Sequence, residues 1–138
     1  MLHADLTEMI IASFYRVYNH LGYGFLEKVY ENAMMIEFRK QGLQGRQQER
    51  IKVYYDGEEV GDYFADILVN DLVIVELKAA RTIQADHQAQ LTNYLRATDK
   101  EVGLLLNFGE TPEFKRVIFT NDRKRAPLGD EGKNMEHG

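Results

Sequence analysis

The stretch Leu72–Leu77, LVIVEL, constrains this chain more than any other. Three consecutive β-branched residues favour a strand, and an apolar run without polar alternation belongs to a strand covered on both faces. A fold built on it needs a layer on each side. Yet Glu76 sits inside the run and Lys78 just past it. Strand side chains alternate, so the carboxylate and the ammonium two residues apart point the same way. Burying either charge alone costs several kcal/mol, on the order of a lost buried ion pair. The pair is therefore either a strand-end ion pair or part of a site.

The remaining pattern supplies the layers. From Asp5 to Leu21 apolar residues recur at three- and four-residue steps, the helical period, with Ile11, Tyr15 and Tyr18 widening the stripe for packing on two sides. Gly22 and Gly24 break it, and a second helix runs from Phe25 to about Gln41, with Gly42 as its capping glycine. Ile51–Tyr55 and Val60–Val69 read as strands joined at Asp56-Gly57. A third helix spans Ile83–Ala97, and VGLLLNF, Val102–Phe108, is a second buried strand, followed after a turn at 109–112 by Phe114–Thr120. The order α, α, β, β, β, α, β, β predicts an α/β fold. Its third helix is a right-handed crossover between parallel strands in a mixed sheet with helices on its faces.

A chain of 138 residues, 44% of them hydrophobic, makes one domain, expected over residues 1–125, with a polar tail at 126–138. With Cys 0, disulfides, thiolate metal sites and cysteine nucleophiles are excluded. No apolar run approaches the roughly 18 residues of a membrane span, and MLHADLTEMI does not read as a signal sequence, so a cytoplasmic protein without membrane contact is expected. A net charge of −5 excludes holding nucleic acid by bulk positive charge. Local basic groups remain: Lys115, Arg116, Arg123, Lys124 and Arg125, and more loosely Arg39, Lys40, Arg46 and Arg50. Each reads either as a contact patch or as a solvated face.

Asp66, in YFADILV, is a second carboxylate in an apolar strand, one hairpin away from Glu76. A two-residue turn at Asn70-Asp71 would send the two carboxylates to opposite faces. A three-residue loop would put them on the same one. Two carboxylates beside a lysine suit Mg²⁺ or Mn²⁺, which take anionic oxygen ligands and keep water, and the lysine can orient that water or stabilise a phosphoryl oxygen. The chemistry such a set suits is hydrolysis of a phosphodiester.

Asp66 followed by Glu76-Leu77-Lys78 resembles the D…(D/E)xK signature of the PD-(D/E)xK nuclease superfamily. The segment Gly24–Tyr30, GFLEKVY, resembles the motif that names the GxxExxY protein family, and Gln90–Tyr94, QLTNY, resembles the QxxxY motif of the exonuclease-type branch. The resemblance runs from about Asn19 to Phe108. It implies a restriction-endonuclease-like core and a metal-dependent nuclease, with DNA favoured over RNA. Carried over, it makes Glu27, Asp66 and Glu76 metal ligands, with the main-chain carbonyl of Leu77, and Lys78 the catalytic lysine. Gln90 takes a catalytic or substrate-contacting place, Tyr94 and Tyr30 contact substrate, and Arg81 contacts phosphate. In some exonuclease-type relatives an upstream histidine is an extra ligand, a place His20 could fill; His87 reads as ordinary. Ala65 stands where the superfamily name places proline.

Bland alternatives stand beside these: Tyr30 and Tyr94 as core tyrosines, Glu27 and Arg81 as solvated charges, His20 as a helix-end residue. The whole chain has an alternative too, a non-catalytic module for nucleic acid or protein that keeps the fold. A second copy of the chain, a protein partner, or single strands entering a small groove would reconcile −5 with a nucleic-acid substrate.

Overall fold

Helices α1 (Ala4–Leu21) and α2 (Glu27–Lys40) form where the apolar spacing is helical. This computed structural model describes residues 1–124, so the expected tail at 126–138 and Arg125 lie outside the described residues. Gly42, at φ 74, ends α2: its N–H donates to the Arg39 carbonyl (3.1 Å) and the next N–H, of Leu43, to the Phe38 carbonyl (2.9 Å). This paired closure needs a left-handed residue that costs glycine nothing, and it turns Leu43 back into the core.

Strands β1 (Gly45–Tyr55) and β2 (Glu58–Val69) are joined by Asp56 (φ 49) and Gly57 (φ 80), the two positive φ values of a tight hairpin. Next come β3 (Val73–Lys78), α3 (Ala85–Arg96), β4 (Val102–Phe108), β5 (Pro112–Ile118) and a short 3₁₀ turn, Asn121–Arg123. The sheet order is β1-β2-β3-β4-β5, and only β3 and β4 run parallel, joined through α3. The mixed sheet flanked by helices is as the sequence predicts.

LVIVEL is covered on both faces. Val73, Val75 and Leu77 pack with Phe14, Tyr30 and Phe38 under α1 and α2. Ile74 packs with Leu91 and Leu95 of α3 on the other side. No helix among the described residues is long and apolar enough to cross a membrane.

Several boundaries differ from the sequence reading, those of β1 and β5 among them. Strand β1 begins at Gly45 rather than Ile51, because GRQQER, polar throughout, is held extended by pairing along β2 from Gly45↔Val69 to Arg50↔Phe64. Strand β5 spans Pro112–Ile118 rather than Phe114–Thr120, with Pro112 tolerated as the first residue of an edge strand.

Several of the basic residues are engaged within the fold. Arg116 reaches α1, where it donates to Thr7 Oγ1 (2.7 Å). Lys124 donates to the carbonyls of Thr98 (2.9 Å) and Lys100 (2.8 Å), and Arg123 lies over the Phe119 ring at 4.6 Å. In the looser group Lys40, Arg46 and Arg50 are ion-paired with Glu37, Glu49 and Asp62.

Candidate active site

The site is built where the sheet forks. β2 and β3 pair only at Val69↔Val73, Leu68↔Ile74 and Ile67↔Val75, around the three-residue loop Asn70, Asp71 and Leu72. Odd parity places Asp66 opposite Glu76, but there the ladder has ended. Each strand's next N–H is satisfied by the other strand's carboxylate: Asp66 N–H donates to Glu76 Oε2 (2.6 Å) and Leu77 N–H to Asp66 Oδ2 (2.7 Å). A strand residue's N–H and C=O point to the same side, so the Leu77 carbonyl also faces this gap. Across from Asp66 on β1, Gln48 takes a left-handed φ of 55 and interrupts that pairing too. A non-glycine residue held there is strained, a condition that clusters at functional sites.

Burial makes both carboxyls weaker acids. Glu76, 4% exposed, is pushed up to about 8 by desolvation first and by the Asp66 charge second. Asp66 is raised by desolvation, opposed by the Leu77 N–H, and raised again by Glu31. Two adjacent acids that resist ionising together suit a cation between them.

Lys78 shares the sheet face of Glu76, and its Nζ donates to Gln90 Oε1 (3.3 Å) on α3. Tyr94, one turn along, is buried, and burial together with the charges of Glu76 and Asp66 raises its hydroxyl to about 12. Four-residue spacing puts Gln90 and Tyr94 on one face of α3. Beyond β3, the buried Asn107 side chain accepts from Ala80 N–H (2.9 Å) and donates to its carbonyl (3.0 Å). Gly109 is required alongside, because a Cβ there would lie 2.6 Å from the Ala80 oxygen. Arg81, next in this clamped segment, is exposed, with no ion pair among the described residues.

Not every expected residue joins. Glu27 is the exposed first residue of α2, and its charge reaches Asp66 only weakly. His20 is exposed at the end of α1, with no side-chain hydrogen bond among the described residues. Tyr30 departs from the expected substrate contact: it is 0% exposed, its ring stacks on Phe108 at 4.0 Å, and its hydroxyl binds the Gly22 carbonyl (2.8 Å) and the Phe25 N–H (3.2 Å). It shapes the α1–α2 loop from within the core. His87 helps cap α3, its Nδ1 accepting from Gln84 N–H (3.1 Å).

Glu31 is the acid the motifs do not single out. It is 3% exposed, receives Gln47 Nε2 (2.6 Å), Gln48 Nε2 (2.9 Å) and Lys28 Nζ (2.9 Å), and its charge acts on both Asp66 and Glu76. It stands four residues after Glu27, one helical turn, which is the signal that could have found it.

Among the described residues, no three acidic or histidine side chains gather closely enough to enclose a metal ion. The donor set at the fork still fits Mg²⁺ or Mn²⁺. Such ions are commonly held by one or two carboxylates, with water and substrate oxygens completing the shell. Asp66 and Glu76 each commit one oxygen to a backbone N–H and keep the other.

The family model described as the PD-(D/E)XK nuclease superfamily matches residues 4–117. A solved structure titled "Crystal structure of SSO0001" is similar at TM-score 0.56 and 14% identity, covering 98% of this chain and 68% of that chain, a likeness of fold. No curated protein matches the chain.

Proposed function

The chain belongs to the PD-(D/E)XK nuclease superfamily, and from that premise we propose that it is a divalent-metal-dependent nuclease of the GxxExxY type, cleaving DNA in preference to RNA. The observation that carries this reading is the exchange between Asp66 and Glu76 at the fork, with Lys78 on the same face.

Asp66, Glu76 and the Leu77 carbonyl would hold Mg²⁺ or Mn²⁺, with Glu27 at the start of α2 the further ligand that the family resemblance implies. When bound, the metal supplies Lewis acidity and lowers the pKa of water. Gln90 holds the Lys78 ammonium by its amide oxygen, so that the ammonium orients the attacking water and stabilises charge on a phosphoryl oxygen. Arg81 meets the neighbouring phosphate. Glu31 is a positioning residue that fixes Gln47 and Gln48 beside Asp66. The place of action we assign is the cytoplasm.

A second reading is a non-catalytic binding module for nucleic acid or protein, favoured by the exposure of Glu27 at the start of α2, away from the two carboxylates exchanged at the fork. The test is cleavage of labelled single-stranded, duplex, flapped and RNA substrates with Mg²⁺ or Mn²⁺. Lys78→Ala should lower cleavage by at least about a hundredfold while calorimetry still detects the metal. Equal cleavage by both proteins removes Lys78 from the mechanism. Cleavage by neither, with or without a partner protein supplied, leaves the binding module.

A further inference from the structure

We propose that the groove between the β1–β2 hairpin and helix α3 is a nucleobase subsite. It would receive one unpaired base of the strand whose phosphate lies at Asp66 and Glu76, and so it rests on the nuclease reading. The hairpin extends beyond the sheet, since β2 pairs with β3 only from Ile67 onward, and the groove of about 540 Å³ lies between that extension and α3. Val53, Val60 and Tyr63 form its hairpin wall, and Gln90, Asn93 and Tyr94 its helix wall.

Three features select a base. The first is an aromatic floor. Tyr63 is 48% exposed, and its ring stands 5.9 Å from that of Tyr94 at 44°. Gly61 makes room for it: a Cβ there would come within 2.9 Å of the Tyr63 ring and 3.3 Å of Val53. An exposed ring face in a small groove is what base stacking uses.

The second is charge. The groove's charged lining residues are Asp86 and Arg96, one of each sign. A balanced groove attracts a neutral ring rather than a phosphate.

The third is the polar edge. Gln90 Oε1 accepts from Lys78 (3.3 Å) and Asn93 Oδ1 from Arg96 Nη1 (3.2 Å), so both amides turn their NH₂ groups away from those cations. Two amide donors beside an aromatic face suit the acceptors that every base carries, carbonyl oxygens or ring nitrogens. Gln90 belongs to both the groove and the Lys78 contact, so the groove adjoins the side of the site where Lys78 stands. A base stacked within a duplex cannot enter, and the subsite selects single strands and frayed ends.

The experiment is fluorescence anisotropy of a labelled single-stranded DNA with the full chain in EDTA, against the same oligonucleotide carrying abasic sites. Intact DNA should bind about tenfold more tightly than abasic DNA. Tyr63→Ala should erase that difference while leaving the salt slope and the thermal midpoint unchanged, and Tyr63→Phe should restore it. Equal affinity for the two oligonucleotides, wild-type behaviour of Tyr63→Ala, or no binding at all overturns the subsite. The two proposals fail separately: base-dependent binding without metal-dependent cleavage sinks the nuclease, and cleavage without base dependence sinks the subsite.

Discussion

Glu76 behaves as an acid that keeps its proton well past the usual carboxylate range. Its folded value of about 8 lies above the 4.5 of a free side chain, raised by burial and by Asp66. Between those values the folded chain holds a proton that the unfolded chain has released, so the metal-free protein loses stability as pH rises from about 4.5 towards 8. Each pH unit of that window removes ~1.4 kcal/mol, so the loss amounts to a few kcal/mol. Asp66 moves in the same direction and adds to it. Thermal melts in chelator should show a midpoint falling across that window, and Glu76→Gln should flatten much of the fall. On the metal-site reading, Mg²⁺ or Mn²⁺ restores the midpoint at pH 8. Parallel curves for the two proteins would mean that Glu76 titrates as an ordinary surface acid.

Among the elements, the segment leaving β3 depends on one side chain. Asn107 satisfies both the N–H and the carbonyl of Ala80 from the penultimate position of the otherwise apolar β4. Asn107→Ala would leave two shielded backbone groups unpaired, at about 1–3 kcal/mol each. Urea titration should show at least that loss, and cleavage should fall with it, since the segment carries Arg81 and follows Lys78. A midpoint within error of wild type would mean that water replaces the amide. Such a role is not legible in VGLLLNF, where Asn107 is merely the exception in an apolar run. The strands whose own pattern decides them, β3 and β4, can be read from the sequence, and β4 is bounded there to the residue. Strand β1 cannot, because GRQQER is extended by its neighbour rather than by its own side chains. At the site, spacing puts Glu76 with Lys78 on one strand face and Gln90 with Tyr94 on one helix face, whereas the loop parity that sets Asp66 opposite Glu76, and the burial of Glu31 and Tyr30, depend on how the chain turns and how α2 lies on the sheet, which spacing does not encode.

For the molecule as a whole, part of the positive charge is neutralised from within. Arg16, Lys40, Arg46, Arg50, Lys52 and Lys100 are all ion-paired, and Lys124 ties the α3–β4 connection to the chain beyond β5. Cations engaged in this way displace few counterions from a nucleic acid. The plot of log affinity against log salt should therefore have a slope of only about −1 to −3. Lys124→Gln should lower the melting midpoint without changing that slope. A slope steeper than about −5 would mean that the basic residues near the C-terminus engage phosphate after all.

The hairpin that reaches past the fork is the one part of the sheet whose length the core does not set. Its tip turns at Asp56 and Gly57, far along the chain from the Asp66 end. Inserting or removing a matched pair of residues on each strand keeps every side chain on its own face, whereas a single unmatched residue inverts the faces beyond it. The arm can thus be tailored only in increments of about 7 Å. For lineages of this chain, that makes its reach along a strand a stepwise trait that can change without disturbing the two carboxylates at its root.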